Sequence, residues 1–149
     1  MNRNGAVAYI GGTFDLFHHG HVHLLRTAKE RFGVVVVGLN RDDFVARFKR
    51  RRPIMTLIER MNVVAACRYV DSVIVNVGDE DSRPALLLAG ATHFVHGSDW
   101  TGENLMRQLG LTKYWLAKHG IRLVYFPYTV EISTTEIIGR MRCEKRLIA

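Results

Sequence analysis

The segment Gly11-Gly12-Thr13-Phe14-Asp15-Leu16-Phe17-His18-His19-Gly20-His21 decides how this chain is read. It follows an apolar run, residues 6–10, with the character of a buried strand. It runs into Val22-His23-Leu24-Leu25-Arg26-Thr27-Ala28, which has the character of a helix. The segment is therefore a strand-to-helix turn rich in glycine and histidine. Its far end is a helix N-terminus, where unpaired backbone N–H groups and the helix dipole attract anions. A helix beginning near His18 places His18 and His21 on one face. That face continues through Leu25, Ala28 and Phe32, which points it inward. Two imidazoles and a positive helix end aimed at one spot predict a phosphate-handling site.

Outward from this turn, strand-like runs recur at residues 7–10, 34–39, 72–75, 93–96 and 122–126. They are rich in Val, Ile and Phe and nearly continuous in apolar character, as strands covered on both faces are. Helical patterns lie between them. Leu57, Met61 and Val64 mark one, with Thr56 placed to cap it. Residues 82–90 form a shorter one, with Pro84 in its first turn and Gly90 past its end. Residues 103–119 make a pattern broken near Gly110, with Thr112 able to cap its second half and Gly120 to end it. The last helix starts near Thr134 and carries Ile137, Ile138 and Met141. Alternating strands and helices predict an α/β fold built on a five-stranded parallel sheet with helices on both faces. Ligands in such sheets bind at the carboxyl ends of strands, near the topological switch point. The opening turn lies at the end of the first strand.

Length and composition bound the reading. The 149 residues fit one domain, 1–149, and show no internal repeat, low-complexity stretch or linker. A hydrophobic content of 48% with 23% charged residues is that of an ordinary globular chain. No run approaches the roughly 18 apolar residues of a membrane span. The N-terminal residues lead straight into a strand, unlike a signal peptide. Cys67 and Cys143 make neither a disulfide framework nor a metal-type spacing, so a reducing cytoplasm is expected. The net charge of +7 suits either nucleic acid or polyphosphate small molecules. Much of it sits at Arg47, Lys49, Arg50, Arg51 and Arg52, and at Arg140, Arg142, Lys145 and Arg146.

Each motif also has a plain structural reading. His19 and His23 have the i, i+4 spacing of helical metal pairs but face away from His18 and His21, so no metal ligation by protein side chains is expected. Ser133 with Glu136 forms a capping-box pattern. Lys49-Arg50-Arg51-Arg52 reads as a solvated basic loop. It lacks the aromatic interleaving of a nucleic-acid surface.

Four segments taken together carry a resemblance. Gly12-Thr13-Phe14-Asp15 with His18-His19-Gly20-His21 resembles the G-x-F-D and H-x-G-H signature of cytidylyltransferase-like nucleotidyltransferases. Arg68-Tyr69-Val70-Asp71, Gly97-Ser98-Asp99-Trp100 and Ile132-Ser133-Thr134-Thr135 are similar to segments of the glycerol-3-phosphate and phosphocholine cytidylyltransferases. They occur in the same order, over roughly residues 6 to 140. The resemblance implies a single Rossmann-like domain, active as a homodimer. In the implied reaction a phosphate oxygen of an acceptor attacks the α-phosphorus of CTP and releases pyrophosphate, with Mg²⁺ carried mainly by the triphosphate.

It also implies roles. His18 and His21 donate to α- and β-phosphate oxygens, and the Thr13 and Phe14 backbone lies against the triphosphate beside Gly12. Gly20 leaves room for the nucleotide to approach the helix. Ile132, Ser133, Thr134 and Thr135 present a second helix start to the remaining phosphates. Lys49 closes over the triphosphate and the acceptor phosphate, with Arg51 as a second candidate there. Arg60 and Arg68 match family arginines at the nucleotide site, Arg68 with Asp71 near a dimer interface. Gly97, Asp99 and Trp100 belong to the base-recognition loop, and Asp15 with Asp99 shapes the site. Arg83 lies near an acceptor-phosphate position.

This sequence departs from the family at three places. Ser98 replaces an aspartate, Tyr128 replaces an arginine close to the nucleotide, and Glu131 replaces a glycine. The lost arginine removes a bidentate phosphate contact. Arg52-Pro53-Ile54 followed by Glu59-Arg60-Met61 looks instead like the adenylyl-transferring heptose-phosphate relatives. The expectation is CMP transfer to a small phosphorylated acceptor such as glycerol 3-phosphate. Phosphocholine, phosphoethanolamine, a phosphonate and a sugar phosphate stay open as acceptors. The alternatives are an adenylyltransferase using ATP, an inactive nucleotide-binding regulator, and a nucleic-acid binder driven by charge.

Overall fold

A computed structural model describes residues 5–97, 106, 107, 109–127 and 132–147. The strands are β1 (Val7–Gly12), β2 (Val34–Asn40), β3 (Ser72–Asn76), β4 (His93–Gly97) and β5 (Arg122–Phe126). The helices are α1 (His19–Phe32), α2 (Asp42–Lys49), α3 (Leu57–Ala65), α4 (Arg83–Leu88), α5 (Lys113–Lys118) and α6 (Thr134–Leu147). All five strands lie in one sheet in the order β3-β2-β1-β4-β5, and every pairing is parallel. The expected strands are found, several of them one or two residues longer than the apolar run. This is the Rossmann-like α/β arrangement.

Alternation along the strands divides the interior in two. Ala8, Ile10, Val35, Val37 and Val95 face one side, where Leu25, Ala28 and Phe32 of α1 and Val64 of α3 cover them. Tyr9, Val36 and Phe94 face the other side, under Ala85 and Leu86 of α4 and Leu116 of α5. The face of α1 expected to point inward does so. Gly38 has a specific role in this packing. A Cβ there would stand 2.1 Å from the Tyr9 hydroxyl oxygen, so only glycine leaves room for that ring between strands.

The helix ends follow local chemistry. The Glu59 N–H donates to Thr56 Oγ1, and the Glu59 carboxylate accepts from the Thr56 N–H at 2.7 Å, a complete capping box. Thr112 Oγ1 accepts from the Trp115 N–H at 3.0 Å. Helix α2 is an addition to the expected elements, because its basic end had the look of an open loop. Asp42 and Asp43 in its first turn and Arg47 and Lys49 in its last complement the helix dipole. Phe44 and Val45 bury its inner face. Arg50 ends it in a left-handed conformation (φ 55°).

From β1 the chain moves outward through β2 to β3, then returns to place β4 on the other side of β1. The switch point is thus the crevice between the carboxyl ends of β1 and β4. The glycine-rich turn opens onto it.

Candidate active site

The turn after β1 is strained and heavily tied down. Phe14 (φ 53°) and Leu16 (φ 48°) are both left-handed, a conformation costing non-glycine residues about 1–2 kcal/mol each. Three long-range anchors hold it. The Asp15 carboxylate accepts the Ile54 and Met55 N–H groups at 2.8 and 2.9 Å. The Asp15 carbonyl accepts the Thr134 hydroxyl at 2.7 Å. The Thr13 carbonyl accepts from Arg60 Nη1 at 2.6 Å. Asp15 therefore shapes the site by fixing backbone on both sides of it.

His18 is the N-cap residue of α1, and its backbone N–H donates to His21 Nδ1 at 3.2 Å. The two rings stack with centroids 3.8 Å apart, and Phe14 packs on His21 at 4.9 Å. Desolvation, then the neighbouring His18 and Lys49, lower the His21 pKa to about 3. His18 is also lowered, by desolvation and then by His19. At neutral pH His21 is a neutral imidazole. Its Nδ1 accepts a hydrogen bond, so its proton resides on Nε2.

Helix α6 begins beside α1. Ser133 Oγ accepts the Glu136 N–H at 3.1 Å, the capping half of the expected box. Gly20 makes this proximity possible, since a Cβ there would lie 2.9 Å from Ile132 Cγ2 and 3.1 Å from His18 Nδ1. Ile132 and His18 of the chain itself stand against it. Gly20 also lines the cavity between the two helix starts. The N-termini of α1 and α6 both border a cavity of about 300 Å³ lined by His18, Gly20, His21 and residues 132–135. It adjoins a cavity of about 230 Å³ at the β1/β4 crevice, lined by residues 10–15 and by Val95, His96 and Gly97. Lys49 and Arg51 line both. Although Lys49 as a residue is exposed, its pKa is lowered, first by desolvation, then by Arg51, with Asp15 opposing and Arg60 adding.

Three of the expected arginines line none of the cavities of the single chain. Arg60 is fully buried beneath the site. Its guanidinium donates to the Met55, Thr13 and Asn40 carbonyls and pairs with Asp42, which leaves it no reach to a ligand. Arg68 is exposed before β3, at the end of the sheet opposite the crevice, and its guanidinium lies over the Tyr69 ring. Asp71 pairs with Lys29 of α1 and accepts the Val35 N–H. Arg83 is held by Asp81 through Nε and Nη2 at 2.8 and 2.7 Å, and it lines none of these cavities. Asp99, Trp100 and Tyr128, with Ser98 and Glu131, lie outside the described residues. His96, Asn40 and Asn76 line the site and were not singled out from sequence. Their only signal was position at the carboxyl end of a strand.

A parallel sheet with its switch-point crevice bordered by two helix N-termini and the His18–His21 turn is suited to holding phosphate groups. Residues 9–140 match the family described as cytidylyltransferase-like, and the chain belongs to that family. It is 33% identical to glycerol-3-phosphate cytidylyltransferase of Bacillus subtilis over 126 residues, 85% of this chain and 89% of that one. It is 45% identical to ethanolamine-phosphate cytidylyltransferase of Arabidopsis thaliana over 93 residues, 62% of this chain and 22% of that one. The chain spans 22–38% of the length of the ethanolamine-phosphate enzymes it matches. The fold is shared with a lipopolysaccharide core biosynthesis protein of Thermoplasma volcanium. That match has a TM-score of 0.66 and 22% identity and covers 83% of this chain and 96% of the other.

Proposed function

We propose that residues 1–149 act as one cytidylyltransferase domain that transfers CMP from CTP to a small phosphorylated acceptor and releases pyrophosphate. One observation carries this reading: the N-termini of α1 and α6, the His18–His21 pair and Lys49 all border the joined cavities at the β1/β4 switch point.

In this proposal an acceptor phosphate oxygen forms a bond to the α-phosphorus of CTP as the bond to the β-phosphate bridging oxygen breaks. Negative charge grows on the equatorial and leaving oxygens. His21 donates from Nε2–H, and His18 donates alongside it. The free N–H groups of the two helix starts add fixed dipoles, and Lys49 supplies the mobile positive charge that meets both substrates. Ser133, Thr134 and Thr135 serve the distal phosphates, while Gly12, Thr13, Phe14 and Gly97 form backbone walls. Arg51 assists at the acceptor phosphate, and Asp99, Trp100 and Tyr128 belong to base recognition.

Magnesium belongs to the proposal as an ion borne by triphosphate oxygens and water, neutralising charge when bound. Among the described residues no three His, Cys, Asp or Glu side chains converge on one point. The Asp15 carboxylate is committed to backbone N–H groups. A cytoplasmic homodimer completes the reading. Support for the dimer comes from Ile58 and Val63 of α3, which are apolar and exposed. No helix among the described residues is long and apolar enough to cross a membrane.

The test is pyrophosphate release from CTP and Mg²⁺ over a panel of phosphorylated acceptors, with calorimetric comparison of CTP and ATP. Release with at least one acceptor and tighter CTP binding are expected. Tighter ATP binding overturns the base assignment. Absence of release with every acceptor overturns the transfer reading.

A further inference from the structure

Among the described residues, the non-glycine positions with left-handed backbone are Phe14, Leu16, Arg50 and Asp79. Phe14 and Leu16 lie in the turn after β1, and Arg50 follows Lys49. Asp79 (φ 52°) lies in the turn that follows β3. Strain of this kind persists only where the surroundings enforce it. Here they do. The Asn76 side-chain amide donates to the Asp79 carbonyl at 3.3 Å, and a Cβ at Gly78 would collide with the Asp81 carbonyl oxygen. The turn thus holds the Asp79 carboxylate in a set direction, and what it meets there is α2.

Both ends of α2 are tied to this carboxylate. Arg41, the N-cap residue, donates through Nε at 3.2 Å and Nη2 at 2.9 Å, and Arg47 of the last turn donates through Nη2 at 3.0 Å. Asp43 lies 3.6 Å from both guanidinium groups, so the four side chains close a ring of alternating charge. A cation at a helix start opposes the helix dipole. The Arg41 side chain makes no capping bond there, so its place is explained by its reach to the two carboxylates. The start of α2 is fixed by the Asp42–Arg60 pair and its inner face by Phe44 and Val45. Its last turn is exposed at Phe48 and Lys49, and the bond from Arg47 to Asp79 is the polar tie that joins this turn to another element. Lys49, two residues further on, lines the two cavities described above and a third of about 240 Å³, which Asp79 also lines.

We propose that Asp79 is a positioning residue: through Arg41 and Arg47 it fixes the last turn of α2 and so holds Lys49 over the joined cavities. The inference rests on the role given to Lys49 in the transfer reading above. Ion pairs as exposed as these add little to folding stability. Their effect is on aim. Helix α2 ends in the side chain that meets both substrates, and a misplacement of about 1 Å can cost on the order of 10²-fold in rate. Asp79 itself touches no reacting atom and acts through α2.

The experiment follows acetylation of the Lys49 amine by acetic anhydride, read by mass spectrometry, with and without CTP and Mg²⁺ at a concentration that calorimetry shows to saturate each protein. In the wild-type protein CTP is expected to slow modification of Lys49 by about fivefold or more, because phosphate oxygens then engage the amine. Asp79→Asn keeps a side chain that tolerates the left-handed turn and removes the charge. Arg47→Gln breaks the same ring without touching the turn. Both variants are expected to lose most of the protection and to lower kcat for pyrophosphate release by about tenfold or more, with urea midpoints close to that of the wild type. A merely structural role would instead lower the midpoint and leave the folded protein's Lys49 protected. Each variant tests the inference alone, so a failure of one to fold leaves the other to decide. Protection equal to wild type in a folded variant overturns the inference, and so does an unchanged kcat where protection is lost. Absence of protection in the wild-type protein, where CTP binds, removes Lys49 from the transfer reading and this inference with it. Protection that persists in the variants overturns this inference alone.

Discussion

The backbone N–H of His18 donates to Nδ1 of His21 across 3.2 Å, and the two imidazoles stack with centroids 3.8 Å apart. One hydrogen bond thereby caps a helix and fixes a tautomer. Because His21 Nδ1 accepts, its proton is held on Nε2. Burial keeps the ring neutral, so in the free protein the fixed positive potential comes from helix ends, Lys49 and the arginines rather than from imidazolium. A triphosphate entering this site changes that balance by supplying the missing negative charge.

His21→Ala is expected to lower kcat by about 10²–10³, the range for losing one preorganised donor to a developing anion. Steady-state pyrophosphate release measures it, and unchanged turnover would remove His21 from the proposed mechanism.

The same ring predicts a pH dependence of stability. The His21 pKa falls from an ordinary 6.5 to about 3 on folding. Between these values the unfolded chain binds a proton that the native protein does not. The stabilisation is therefore complete above pH 6.5 and is lost as pH falls toward 3, with a slope of about 1.4 kcal/mol per pH unit. Urea unfolding between pH 7 and 4.5 measures the slope, and His21→Gln should reduce it by about one proton.

Lys49 sets the other limb. Its pKa lies below the ordinary lysine value, so its charge is lost at a lower pH than that of a solvated lysine. The activity should fall on the alkaline side through a pKa depressed in this way. Lys49→Arg should move that limb upward, because guanidinium does not deprotonate in this range. A pH profile of kcat/KM for both proteins decides it.

Gly20→Ala tests the contact between the two helix starts. In an exposed helix this change stabilises by up to about 1 kcal/mol. Here the new Cβ meets Ile132 Cγ2 at 2.9 Å and the His18 ring at 3.1 Å. A destabilisation of about 1–3 kcal/mol is expected instead, together with reduced activity as His18 shifts. A variant more stable than the wild type in urea would contradict this packing.

Arg60→Met separates a buried clamp from a ligand contact. It strands Asp42 and three backbone carbonyls, so a loss of about 3–5 kcal/mol in unfolding free energy is expected. An unchanged unfolding midpoint with abolished CTP binding would instead return Arg60 to the nucleotide site.

What could be read from sequence was what depends on neighbours along the chain. The five strands were legible because apolar runs mark strands covered on both faces. The His18–His21 pairing was legible because helical spacing fixes it, and Thr56 and Thr112 were legible as caps for the same local reason. Partner choice across the sheet was not legible. It depends on strand order, which puts Val35 of β2 beside Asp71 and brings Thr134 from 119 residues away onto Asp15. So Arg60, an arginine in a family-like motif, became a buried clamp, and Arg83 turned to Asp81. Likewise Asn76, an unremarked strand end, came to line the site. The sequence by itself determined a parallel α/β chain with an anion-binding turn, since local periodicity and helix-end chemistry suffice for that. Only the tertiary structure decided which charged groups face the cavity and which are spent holding it, because a guanidinium or carboxylate goes to whatever partners burial leaves it.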